Sequence, residues 1–391
     1  MAAAFEVDAT ARQRLGMSPA RFLAEYWQKQ PLLIRGAYPT DLAPLEPGDL
    51  AGLACEPFAL ARIVEYHRGA DRWALRQGPF DEQQFPAMPS EDWTLLVQDV
   101  DKWDDDVRAL LADFGFLPSW RIDDIMVSFA APGGSVGPHI DQYDVFLIQG
   151  LGRRRWRIST DAAASSAFLP DADLRILESF AATHDWVVEP GDMLYLPPGV
   201  PHFGEAMDAC MTYSVGMRAP STAEMVADLA DHLAERGDDT ARYADPDLMP
   251  ARHSAEIDAT SLGRARKQLR ALAEMDESSL GDWLGRMFSR YRSGGQHAAP
   301  PTPPSAARIS QRLRSNTRLV RNPLSRMVYL RDGKLARVFA LGQAHALPLA
   351  LARAVCEGDG IDASDWDAAS ESARDQIVAL AAEGHIVFQR S

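Results

Sequence analysis

Between residues 118 and 218 the chain is cut every few residues by turn-forming sequences: PGG at 132–134, GLG at 150–152, EPGD at 189–192 and PPG at 197–199. The runs between them are rich in β-branched and aromatic residues. Glycine and proline at that density exclude long helices, so this stretch must build short antiparallel strands that close on a common core as a sandwich or barrel. Upstream, SPARFLAEYWQKQPLLIRG predicts a helix capped near Ser18 and then an apolar strand from Pro31 to Arg35, which join the same domain.

The rest of the chain has a different periodicity. At 391 residues it exceeds what one hydrophobic core usually organises. From 221 to 292 apolar residues recur at helical spacing: Met225, Leu229 and Leu233, then Leu262, Leu269 and Leu272, then Leu280, Trp283, Leu284, Met287, Phe288 and Tyr291. Ser221-Thr222 followed by Glu224 is an N-cap signal for the first. Three such helices hide little apolar surface by themselves, so their faces are expected to pack on the β-rich domain or on a second copy, making a homodimer. SGGQHAAPPTPPSAA, residues 293–307, reads as a linker. Beyond it a hairpin turning at Asp332-Gly333, helices near 347–356 and 366–383 and a strand at 385–389 resemble a winged-helix unit. The expected domains are therefore 1–220, 221–292 and 308–391.

No stretch approaches the roughly 20 apolar residues that span a bilayer. MAAAFEVDATARQRLG has no basic region followed by an apolar run, and a cytoplasmic location is expected. Cys55, Cys210 and Cys356 are scattered and odd in number, which argues for inert thiols over a disulfide framework or a zinc cluster. Net charge is −15, yet residues 308–337 hold nine Lys/Arg against Asp332 alone. An acidic body suits a cationic substrate, while the basic stretch is either a solvated face or a contact for an anionic partner such as nucleic acid.

Two segments carry chemistry: GPHIDQYDVFLIQGLGRRRWRI and EPGDMLYLPPGVPHFGEA. His139 and Asp141 are two apart, so on a strand both leave one face and can share an ion. His202, following a stiff Pro-Pro-Gly-x-Pro loop, provides a third ligand. Two histidines and a carboxylate leave coordination positions open, which suits non-haem iron(II) with dioxygen; zinc accepts the same ligands. In RRRWRI, alternation puts Arg154 on one face with Trp156 and Ile158. A buried guanidinium there needs an anion, either the distal carboxylate of 2-oxoglutarate, gripped by the planar fork, or a buried protein carboxylate. In DDIMVSFA, Asp124, Met126 and Ser128 share a face. Ser128 can donate to a bound carboxylate, while Asp124 and Tyr143 at the mouth suit a guanidinium; plain packing is the competing reading for all three.

At these residues the chain resembles the JmjC oxygenases, and more closely the bacterial ribosomal oxygenases. GPHIDQYDVFLIQGLGRRRWR is the most specific part of the likeness, which also takes in FLAEYWQKQPLLIRG, the helical middle and the winged-helix-like end. The resemblance implies an α+β chain whose double-stranded β-helix, a jelly-roll or cupin barrel, precedes a helical dimerisation domain and a winged-helix-like domain. It implies iron(II) on His139, Asp141 and His202, 2-oxoglutarate on Arg154 and Ser128, and a substrate arginine near Asp124 and Tyr143. The implied reaction is hydroxylation at the β-carbon of an arginyl residue in a large-subunit ribosomal protein, with 2-oxoglutarate and dioxygen converted to succinate and carbon dioxide. Three other readings stand beside it: a JmjC demethylase, a metal-binding cupin without 2-oxoglutarate, and a nucleic-acid-binding regulator resting on the basic stretch.

Overall fold

The computed structural model describes every residue except 1–4, 171–172, 237–241, 251–252, 291–298, 359 and 391. Tyr291 and the first part of the expected linker, 293–298, thus lie outside the described residues. The chain divides into two compact units that join between Ala219 and Pro220.

The first unit is built on thirteen strands: β1 (Glu6–Asp8), β2 (Leu32–Arg35), β3 (Ala61–His67), β4 (Arg72–Gln77), β5 (Trp93–Val97), β6 (Ile122–Ala130), β7 (His139–Ile140), β8 (Val145–Leu151), β9 (Arg154–Ile158), β10 (His184–Val188), β11 (Met193–Leu196), β12 (Pro201–Ala206) and β13 (Cys210–Met217). Nine form one sheet in the order β1-β2-β11-β8-β13-β6-β5-β3-β4, and four form a second in the order β10-β9-β12-β7. The unbroken apolar run of β8 follows from burial on both sides, since neighbouring residues point to opposite faces. Val145 and Leu147 join Trp156, Ile158, Val188 and Leu194 in a core supplied by both sheets. Phe146 and Ile148 face the other way, into a larger core with Phe22, Tyr26 and Tyr195. That core holds the helix Pro19–Glu25, whose Ser18 hydroxyl accepts from the Arg21 amide as the sequence predicts, with Phe22 as its buried anchor.

In the second unit, helices Thr222–Arg236, Ala259–Ala273 and Glu277–Ser289 occupy the expected helical region. Ser221 and Glu224 bond reciprocally at the start of the first. Then come helix Ala306–Leu313, β14 (Thr317–Arg321), β15 (Met327–Asp332), β16 (Leu335–Ala340), β17 (Gln343–Pro348), helices Leu349–Glu357, Ala363–Ala368 and Glu371–Ala382, and β18 (Ile386–Arg390). Three details differ from the sequence expectation. Asp332 still pairs with Leu335, so the turn is Gly333-Lys334, with Gly333 at φ +60°. Residues 343–348 form an extra strand. The helix expected over 366–383 stops at Ala368 and restarts after Ser370, whose hydroxyl caps the new turn. The three thiols are unpaired, with Cys210 and Cys356 buried. No helix among the described residues is long and apolar enough to cross a membrane.

The helix Glu277–Ser289 packs on the β15–β16 hairpin, and Gly285 marks the closest approach. A Cβ there would meet the Phe339 ring at 2.4 Å. Glycine to alanine in a helix ordinarily gains up to about 1 kcal/mol, but forced overpacking costs about 1–3 kcal/mol. Gly285→Ala is therefore expected to destabilise the second unit by about 1 kcal/mol or more. Denaturant unfolding checks this, and an unchanged or raised midpoint would show that helix and hairpin are not pressed together.

Candidate metal centre

His202 and His139 face each other directly, because β12 pairs with β7 in a register that sets His202 against His139 and Pro201 against Ile140. Their rings lie 4.1 Å apart between centroids. His139 Nδ1 sits 2.9 Å from the Gly137 carbonyl and His202 Nδ1 2.9 Å from that of Val200. Each carbonyl accepts a hydrogen bond from Nδ1–H, leaving Nε2 with a free lone pair. Both Nε2 atoms converge on Asp141, at 4.0 Å from His139 and 3.7 Å from His202 to Asp141 Oδ2. The three ligand atoms lie within 4.8 Å of one another, close enough to close on one ion. Burial, then the neighbouring His139, push the His202 imidazole down to about 4, so it is neutral and ready to ligate. The sequence expectation had His139 and Asp141 on one strand; β7 instead ends at Ile140, and Asp141 is delivered by the loop after it.

The triad opens into a cavity of about 200 Å³ between the two sheets, lined also by Ser128, Arg154, Trp156, Gly204 and Thr212. Arg154, Trp156 and Ile158 point inward from β9 as alternation requires, opposite Ala206, Gly204 and His202 of β12. Arg154 is 4 % exposed. It donates to Thr212 Oγ1 at 3.3 Å, lies 5.3 Å from the Trp156 ring centre, and its Nε has no partner. No carboxylate among the described residues makes an ion pair with it, and burial alone works against its charge. Ser128 and Thr212 are cross-strand neighbours on β6 and β13. Thr212 escaped the sequence reading, although CMTYSVGM shows the signal: Thr212, Ser214 and Gly216 alternate with apolar residues and line the cavity.

Asp123, Asp124 and Tyr143 line the same cavity. Asp124 Oδ2 accepts from the Asp99 amide at 2.9 Å. Burial, reinforced by Asp101 and Asp123, raises the Asp124 carboxyl to about 6. Asp99 is 1 % exposed, neither carboxylate oxygen has a donor, and burial followed by Asp124 raises it to about 7. Tyr143 keeps 42 % of its surface exposed, while burial of the phenol and the charges of Asp141 and Asp124 hold it protonated.

A second group missed in the sequence anchors the loop that carries Asp141 and Tyr143. Asp144 is completely buried. It accepts from Tyr195 Oη at 2.6 Å, from Gln28 Nε2 at 2.9 Å and from Arg121 Nη2 at 3.2 Å.

Comparison with known proteins agrees with this geometry. Residues 109–225 match the JmjC domain family, and residues 268–386 match the ROXA-like winged helix. The chain is 40 % identical over 283 residues to the ribosomal protein uL16 3-hydroxylase of Escherichia coli K12, covering 72 % of this chain and 74 % of that protein. A probable ribosomal oxygenase of Haemophilus influenzae is 39 % identical over 233 residues, 59 % of this chain and 55 % of that one. The crystal structure of E. coli YcfD superposes with a TM-score of 0.86 at 35 % identity, covering 96 % of this chain and 99 % of that one. A structure of YcfD, a ribosomal oxygenase, in complex with cobalt and 2-oxoglutarate superposes with a TM-score of 0.81 at 33 % identity, with the same coverage. With the barrel, the His-Asp-His cluster and the C-terminal winged helix in place, the chain belongs to the ribosomal oxygenases of the JmjC family.

Proposed function

We propose that this protein is an iron(II)- and 2-oxoglutarate-dependent oxygenase that hydroxylates the β-carbon of an arginyl residue in a large-subunit ribosomal protein of the uL16 type. The observation that carries the reading is Arg154: a guanidinium buried between two sheets, without a carboxylate partner among the described residues, facing the same cavity as a His-Asp-His cluster. His139, Asp141 and His202 would hold iron(II), and Arg154 would take the distal carboxylate of 2-oxoglutarate, with Thr212 and Ser128 beside it. When bound, this pair supplies the activation of dioxygen that oxidises a substrate C–H, with 2-oxoglutarate ending as succinate and carbon dioxide. The chain's own residues orient and shield. Trp156 and Gly204 give the cavity a close-fitting wall, since a Cβ at Gly204 would meet the Trp156 ring at 2.6 Å. Asp124 and Tyr143 would receive the arginine side chain, the carboxylate by charge and the ring by its face. Action on a ribosomal protein places the enzyme in the cytoplasm. The basic stretch 308–337 belongs to the winged-helix unit, where nucleic acid would be met in a ribosomal context. Val226, Leu262 and Leu269 leave 60 %, 54 % and 66 % of their surfaces exposed on the helices of the second unit, which supports a homodimer formed through them.

Mass spectrometry of the ribosomal protein after incubation with the enzyme, iron(II), 2-oxoglutarate and dioxygen is the direct test. One added oxygen on an arginine is expected, whereas loss of a methylene would mark a demethylase. His139→Ala, Asp141→Ala and His202→Ala should each abolish turnover with the fold retained. Arg154→Met should raise the 2-oxoglutarate requirement about tenfold or more while leaving iron affinity nearly unchanged, because a charged hydrogen bond contributes about 1.5–3 kcal/mol. Equal damage to both affinities would make Arg154 structural.

The raised carboxyl of Asp124 sets a pH dependence. A guanidinium binds its ionised form, so capture of an arginine peptide should be strong above about pH 7 and weaken as pH falls through about 6. Asp124→Asn should weaken binding and flatten that profile. A variant with the wild-type profile would place the arginine elsewhere. For assembly, light scattering at micromolar concentration should report a dimer; a monomer overturns it.

A further inference from the structure

Beside Gln98, which lines the cavity, stands a group of partly exposed apolar side chains that the chemistry above leaves unused. Phe58 and Leu60 are 40 % and 43 % exposed. The Phe58 ring lies against Trp103, with centroids 4.2 Å apart. The Leu60 carbonyl accepts from the Gln98 amide at 3.0 Å, and Gln98 itself lines the cavity. Trp103 closes the short helix Val100–Trp103, which packs against β6, the strand that carries Asp123 and Asp124 to the mouth. Gln98 and the helix on β6 thus connect this ledge to the cavity that the carboxylates line.

Apolar side chains beside carboxylates favour a partner that brings a cation and an apolar group together. The cation satisfies the acids, and the apolar group covers rings that otherwise remain in water. Charge decides among occupants: the carboxylates on this rim select a basic segment. We propose that Phe58 and Leu60, with Trp103 against Phe58, dock an apolar side chain of the protein substrate lying within a few residues of the target arginine. This deepens the reading of the site above and rests on it. It makes recognition two-pointed, with the guanidinium at Asp124 and an apolar anchor outside, so the ledge sets which arginine in a basic protein is presented.

The test uses the full chain loaded with iron(II) and 2-oxoglutarate without oxygen. It binds lysine- and serine-based peptides with one central arginine and a single leucine walked through each of the flanking positions. Leucine in one register should tighten binding about tenfold, the effect of covering one apolar side chain. Phe58→Ser should remove that gain and Phe58→Leu should keep it. A gain in no register, or one that survives both Phe58→Ser and Leu60→Ser, overturns the ledge. So does a change in the protein's own oligomeric state on Phe58→Ser, which would give the surface to a second copy. Replacing the peptide arginine by glutamine separates the two ideas: a leucine gain that persists while arginine makes no difference leaves the ledge standing and sinks the arginine site.

Discussion

The metal end of the cavity depends on one buried carboxylate, that of Asp144. The β7–β12 pairing holds only two residue pairs, which orients His139 and His202 but says nothing about Asp141. That ligand sits in the four-residue loop before β8, tied at one end by the Gly199 amide to the Asp141 carbonyl and at the other by the Met217 amide to the Asp144 carbonyl. Asp144 anchors the loop by gathering Tyr195, Gln28 and Arg121. Gln28 is held at φ +56°, an unfavourable geometry for a side-chain-bearing residue. Its amide donates to the same Tyr195 hydroxyl at 2.8 Å, which offsets that cost. Tyr195 in turn lies in the aromatic core with Phe22, Trp27 and Phe146. The aromatic packing around the first helix therefore reaches the loop that carries Asp141 through the Tyr195–Asp144 hydrogen bond.

Arg154 poses the opposite problem: a group that the fold leaves unsatisfied. Taking a guanidinium out of water costs several kcal/mol unless an anion and well-placed acceptors repay it. Thr212 provides one long hydrogen bond, and the Trp156 face provides an attraction of about 1 kcal/mol. Neither closes the gap. A dicarboxylate in the cavity would close it, and a ligand that binds only the folded state raises stability with its concentration.

How much of this was legible in the sequence depended on range. The parity of RRRWRI placed Arg154, Trp156 and Ile158 correctly because β9 is a regular central strand whose alternation is local physics. The same parity applied to His139 and Asp141 reached a correct pairing from an incorrect premise. The strand ends between them, and the loop that carries Asp141 is held by the Gly199 and Met217 amides and by Asp144, bonded to residues 116 and 51 positions away. Such contacts leave no periodic trace. The hairpins β3–β4 and β5 were invisible for a related reason: EDWTLLVQD and ARIVEYH carry strand-forming runs, but nothing local says that they extend the main sheet beyond β6. The helix expected to run through Ala369 and Ser370 was divided by a serine better used as a cap than as an interior residue.

The charges at the two places where ligands would enter have opposite signs, and this sorts what can bind. Arg154 is buried and would attract an anion, while Asp123 and Asp124 on the same cavity would attract a cation. A permanently charged acidic mouth would repel a dicarboxylate on its way in. Asp99 and Asp124, raised to about 7 and about 6 by burial, hold protons more readily than ordinary aspartates. Near pH 6 the charge on this side of the cavity is therefore lower than its composition suggests, and a guanidinium there would favour the ionised form of Asp124. Proton loss from Asp124 would accompany cation binding at that pH, so a carboxyl that would receive a basic side chain would obstruct an anionic cosubstrate less than a fixed charge.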